Sequence, residues 1–130
     1  MGYPRLQSGA MYSKQVLDHF EHPRFAGELE DATVCVDVEN PACGDRLRLA
    51  LKIEGDHIEA VRFKAKGCVP SMACASRLAE MVTGLGLSAA RNLTREELVR
   101  SLGGLPEAST HAGYLAMDAL REALGKLARP

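Results

Sequence analysis

The chain has 130 residues, about the length of one domain, and a domain of that size buries roughly two-thirds of its unfolded surface without needing a disulfide or a metal in order to fold. Apolar residues make up 46% and charged residues 25%, which excludes wholesale disorder, and a formal net charge of -1 leaves no overall basic excess for binding nucleic acid. No stretch has the length and apolarity of a signal peptide or a membrane span, so a cytoplasmic location is the default expectation. In that compartment the four cysteines (Cys35, Cys43, Cys68 and Cys74) are expected as reduced thiols, which turns attention to thiol chemistry or metal binding.

Residues 1–11 carry little pattern and are expected to form a loose amino-terminal extension of one domain spanning 1–130. From Tyr12 to Glu21, Val16, Leu17 and Phe20 recur at helical spacing, and His22-Pro23 closes the helix because a residue before proline avoids helical geometry. Thr33 to Glu39 alternates, with Val34, Val36 and Val38 on one face and Cys35, Asp37 and Glu39 on the other. Arg46 to Ile53 turns Leu47, Leu49, Leu51 and Ile53 inward, and Ile58 to Lys66 does the same with Val61, Phe63 and Ala65. The Gly55-Asp56 turn between them predicts an antiparallel hairpin and a three-stranded sheet. The run Arg62, Lys64, Lys66 reads as the solvated face of a strand.

After Cys68 the period changes. Pro70 suits a first helical turn, and Cys74, Leu78, Met81, Val82 and Leu85 form an apolar stripe that ends near Gly84 and Gly86. Thr94 to Glu97 has the capping-box pattern and starts a short helix ending before Gly103-Gly104. Tyr114, Met117, Leu120, Leu124 and Leu127 then define a closing helix from about Thr110 or His111. Strands first and helices afterwards indicate an α+β fold: a three-stranded antiparallel sheet with helices packed on one face.

Cys43-Gly44-Asp45 lies in the loop before the second strand, where glycine lets backbone approach an ion. Cys68 follows Gly67 at a strand-to-helix junction, where free helix amides favour a thiolate and are expected to lower its pKa. The hairpin between these two points returns the chain to the same edge of the sheet. If the start of the last helix meets that edge, His111 completes a set of two thiolates, a carboxylate and an imidazole. Such a set suits tetrahedral zinc or part of an iron–sulfur cluster. Cys74 falls on an apolar stripe and reads as a small buried hydrophobe. Cys35 is either an incidental exposed thiol or an auxiliary sulfur site. His19, His22 and His57 read as surface or turn residues.

The blocks Tyr12-Ser13, Asp18-His19-Phe20, Pro23-Arg24, Pro41-Ala42-Cys43-Gly44-Asp45, Arg62-Phe63-Lys64, Gly67-Cys68, Ser71 and Ala73 resemble, in order and spacing, the U-type iron–sulfur scaffolds, IscU and the amino-terminal domain of NifU. The likeness runs from Tyr12 to about Lys126. It implies a SufE/NifU-like fold and a non-enzymatic scaffold or carrier that binds iron or a labile [2Fe–2S] cluster on Cys43, Asp45, Cys68 and His111. The implied partners are a cysteine desulfurase and apo iron–sulfur proteins. Position 112, where such scaffolds have a third cysteine, is Ala112, so no sulfur can be passed to a thiol there. An alternative that keeps the fold is a zinc- or iron-binding adaptor or regulator of the desulfurase. Sulfur transfer through a reactive Cys68 is a third, catalytic reading. Leu105-Pro106-Glu107-Ala108-Ser109 keeps only Leu-Pro of the chaperone-recognition segment, so the resemblance does not extend to delivery by an Hsp70-type chaperone. The stretch from Gly84 to His111 is too short for the insertion of the zinc-binding SufU branch, which implies an IscU-like architecture.

Overall fold

Strands β1 (Val34–Asn40), β2 (Asp45–Glu54) and β3 (His57–Lys66) form one antiparallel sheet in that order in a computed structural model, which describes residues 12–41 and 44–127. The helices are α1 (Lys14–Glu21), α2 (Val69–Val82), α3 (Leu87–Arg91), α4 (Arg95–Ser101) and α5 (His111–Leu127), with a 3-10 turn at Glu107–Ser109 before the last. The expected α+β architecture is thus observed. The expected extension at residues 1–11 lies outside the described residues.

Alternation decides which face of the sheet is covered. Val34, Val36, Leu47, Leu49, Leu51, Val61 and Phe63 are buried, while Cys35, Asp37, Arg46, Arg48 and Lys64 between them are exposed. Helix α5 packs on β1 and β2, and α2 packs on β3, all against the apolar face. Truncating a side chain as enclosed as Leu49 to alanine would cost about 2–5 kcal/mol. Gly55 takes a positive φ of 62° as the first of two turn residues, as a tight hairpin of the II′ kind requires. Register slips by one residue between Lys52 and Ile53, so one extra residue enters β3 there. That bulge lets Ile58 and Val61, three apart, both reach the core.

Helix α2 begins with Cys68 as its N-cap and Pro70 in its first turn, where a missing N–H costs nothing. The buried alanines of α2 (Ala73, Ala75, Ala79) and of α5 (Ala112, Ala116, Ala119, Ala123) allow these two helices to pack closely. Beyond α2, Gly84 and Leu85 hydrogen-bond to Ile58, so the chain runs along the start of β3 before α3. Helix α3 and the 3-10 turn have too few residues to show a period, and sequence reading passes over both. The capping box of α4 forms as predicted, with Thr94 and Glu97 each accepting the other's backbone amide.

One expectation is overturned here. His19 is not a surface residue: it is 6% exposed, its Nδ1 lies 2.8 Å from Ser76 Oγ on α2, and its Nε2 faces Glu80 at 3.5 Å. Helix α1 packs on α2 rather than on the sheet, so the side of α1 that carries His19 also faces protein.

Candidate metal centre

Three chain segments meet at the end of the sheet where β1 stops, β2 begins and β3 runs out. Asp45 is the first residue of β2 and is 5% exposed. Cys68 caps α2 directly after Gly67, and His111 opens α5. Cys68 Sγ lies 3.3 Å from Asp45 Oδ2 and 3.7 Å from His111 Nε2, and His111 Nε2 lies 3.6 Å from the same Asp45 oxygen. Two donors bound about 2.0–2.3 Å from one ion at a tetrahedral angle stand about 3.3–3.8 Å apart. The three side chains are therefore spaced like one face of a tetrahedral site before any ion arrives, and sulfur, oxygen and nitrogen donors suit zinc or iron.

Ser71, which sequence reading did not assign to the site, belongs to it. Its hydroxyl donates to Asp45 Oδ2 at 2.5 Å and sits 3.3 Å from Cys68 Sγ. The available signal was its position three residues after the cap, where a side chain turns back toward the helix start. Gly67 has a similar role in space: a β-carbon there would come within 2.5 Å of the Asp45 carboxylate.

The pKa of Cys68 is raised, not lowered as its junction position predicts. Burial pushes it up most; the hydroxyl and amide of Ser71 pull it down, and the Asp45 carboxylate adds to the upward push. The cap location is as read, but desolvation and a neighbouring negative charge outweigh the helix amides. In the resting site the thiol proton points to Asp45, and an incoming cation would displace it.

The remaining candidates are distributed elsewhere. Cys43 lies outside the described residues. Cys35 is exposed on the outer face of the sheet opposite Ala50, and Cys74 is fully buried with its thiol pushed up to about 12, chiefly by burial. His22 and His57 are exposed. Ala112 is 1% exposed and packs in the core immediately behind His111.

A three-stranded sheet backed by helices, with Asp45, Cys68 and His111 gathered at one end, defines a small α+β protein whose sheet edge carries a donor set that could hold a metal ion. The chain belongs to the NifU-like N terminal domain family, whose model matches residues 11–129. It is 44% identical over 115 residues to the iron-sulfur cluster assembly scaffold protein IscU of Aquifex aeolicus, covering 87% of this chain and 73% of that protein. It is 39% identical over 85 residues to the zinc-dependent sulfurtransferase SufU of Bacillus subtilis, covering 65% of this chain and 57% of that one. The crystal structure of the N-terminal part of a NifU-like protein from Brucella abortus superposes with a TM-score of 0.71 at 20% identity, over 88% of this chain and 92% of that chain, and shares the fold.

Proposed function

We propose that this protein is an iron–sulfur cluster assembly scaffold that receives iron and sulfur as cargo and passes a labile cluster, of the [2Fe–2S] type, to apo-proteins. The observation that carries this reading is the spacing of Asp45, Cys68 and His111, within 4.8 Å of one another, in a chain whose relatives include a named scaffold. Cys43, two residues before Asp45, is the proposed fourth donor. Carboxylate and imidazole hold iron less firmly than thiolates do, so a mixed set favours release over storage. Burial and hydrogen bonding keep Asp45 in place between deliveries.

With Ala112 in place of a third thiol, incoming sulfur has to be accepted on Cys43 or Cys68. We take the whole chain as one such unit, acting in the reducing cytoplasm without enzymatic turnover of its own, with a cysteine desulfurase as sulfur source and apo iron–sulfur proteins as recipients. Among the described residues no helix is long and apolar enough to cross a membrane.

The buried methyl of Ala112 favours a second reading, a zinc- or iron-binding adaptor of the desulfurase, because it removes a sulfur ligand and leaves a donor set that one tetrahedral ion saturates. Anaerobic reconstitution with ferric iron and sulfide, which together carry the oxidation levels of an oxidised [2Fe–2S] core, separates the two. A visible cluster chromophore that disappears in Cys43→Ser and Cys68→Ser is expected for the scaffold. Stoichiometric zinc that resists replacement by a cluster would support the adaptor.

A further inference from the structure

The helices cover one face of the sheet and leave the other open, and the open face is strongly segregated in charge. Arg46 stands directly across from Lys66, and Arg48 from Lys64. All four are exposed, in two successive outward rows. Like charges placed opposite each other on neighbouring strands destabilise a sheet, and here the unfavourable pairing occurs twice in a chain whose net charge is only -1. A groove of about 460 Å³ runs over these four side chains, with Asp37 and Glu39 on its β1 side.

Neutralisation within the protein is uneven along the groove. Asp37 takes Arg48 with two hydrogen bonds of 2.9 and 3.3 Å, and Glu28 takes Lys64 at 2.5 Å. At the other end Glu39 reaches Arg46 only at 3.9 Å, and Lys66 makes no ion pair among the described residues. This under-neutralised end is the one beside the metal centre, since Arg46 follows Asp45 and Lys66 precedes Cys68 by two residues.

We propose that the groove is a docking surface for an acidic, extended segment of a protein partner, held along the strands so that it ends beside the metal centre. Alternate side chains of an extended chain recur about every 6.8 Å, which is the spacing of the two cation rows on β2 and β3. Carboxylates at alternate positions therefore meet both rows. A nucleic acid fits less well: carboxylates flank the cations, and among the described residues no aromatic side chain lines the groove to stack on a base. The partner's part in delivery or receipt rests on the scaffold reading, whereas the charge geometry does not.

The test uses the full chain and a fluorescein-labelled twelve-residue peptide alternating Glu and Ser, followed by anisotropy, with a labelled single-stranded oligonucleotide of equal length in a parallel titration. The peptide is expected to bind, to weaken at least tenfold between 50 and 300 mM salt, and to weaken at least tenfold in Arg46→Glu/Lys66→Glu. That variant should keep the thermal unfolding and the cobalt absorption spectrum of the parent protein. The neutral pair Arg46→Gln/Lys66→Gln should show a smaller loss in the same direction. Peptide affinity unchanged in both variants, or tighter binding of the oligonucleotide than of the peptide, would overturn the proposal. Peptide binding that persists in a protein unable to form a cluster supports the docking surface and counts against the scaffold reading alone.

Discussion

Gly67 and Asp45 pack so closely that no other residue can occupy position 67 without moving the carboxylate: an added β-carbon would sit 2.5 Å from Asp45 Cγ and 3.0 Å from its Cβ. Asp45 is itself held by Ser71 and enclosed by the sheet end, so it has little room to yield. Gly67→Ala is expected to lower affinity for zinc or ferrous iron about 10–100-fold, the loss typical when groups that orient a ligand are disturbed. Overpacking should also cost about 1–3 kcal/mol of stability. Competition with a chromogenic chelator and urea unfolding read the two effects separately, and wild-type affinity in a folded variant would show that Asp45 is not a ligand.

Ser71 tests the same carboxylate from the other side. Removing its hydroxyl takes from Asp45 Oδ2 its donor at 2.5 Å, and such charge-assisted bonds contribute about 1.5–3 kcal/mol. Ser71→Ala is expected to weaken metal binding about tenfold or more and to raise the Cys68 pKa further, because Ser71 is what pulls it down. A thiolate titration by absorbance near 240 nm in the metal-free protein checks the second part. An unchanged or lower Cys68 pKa would refute it.

Sequence reading succeeded where a physical period was long enough to be seen. The valines of β1, the leucines of β2 and the stripe of α5 each repeat their pattern three times or more, and each element lies within a residue or two of its expected bounds. The topology that returns Asp45 and Cys68 to one edge followed from the hairpin. What could not be read was set by contacts distant in sequence. His19 is buried because α1 lies on α2, and the Cys68 pKa is raised because the fold buries the thiol, with Asp45, 23 residues earlier, adding to the push. Ser71 and Gly67 matter through their distance to Asp45, which no local pattern encodes. Likewise Arg62, Lys64 and Lys66 look like an ordinary solvated strand until Arg46 and Arg48 are placed beside them.

His19 gives the fold a pH dependence that can be worked out in sign. Burial lowers its pKa below the usual 6.5; Arg24 adds to the drop and Glu80 opposes it. The folded state therefore prefers the neutral ring, whose Nδ1 can accept from Ser76 while Nε2–H faces Glu80. The resulting stability is complete above about pH 6.5 and is lost progressively as pH falls through the depressed folded value. Urea midpoints should thus drop between pH 7.5 and pH 5, with His19→Gln losing stability at pH 7.5 but showing a flatter profile. A steeper profile in the variant would assign the acid sensitivity to other groups.

The three described cysteines differ in environment enough to be ordered by their reaction with iodoacetamide. Cys35 is exposed on the open face of the sheet and should be alkylated first. Cys68 is partly buried with a raised pKa, so at pH 7.5 it should react more slowly and gain rate as pH rises. Cys74 is enclosed in the core, its thiol pushed up to about 12, and should stay unmodified until the protein unfolds. Bound zinc or iron would take the lone pair of Cys68 and release its proton, so metal should protect Cys68 and leave Cys35 unaffected. Time-resolved peptide mass spectrometry with and without one equivalent of zinc follows all three sites at once. Protection of Cys35 rather than Cys68 would move the metal centre to the wrong face of the sheet and remove the basis for Asp45 and His111 as its ligands.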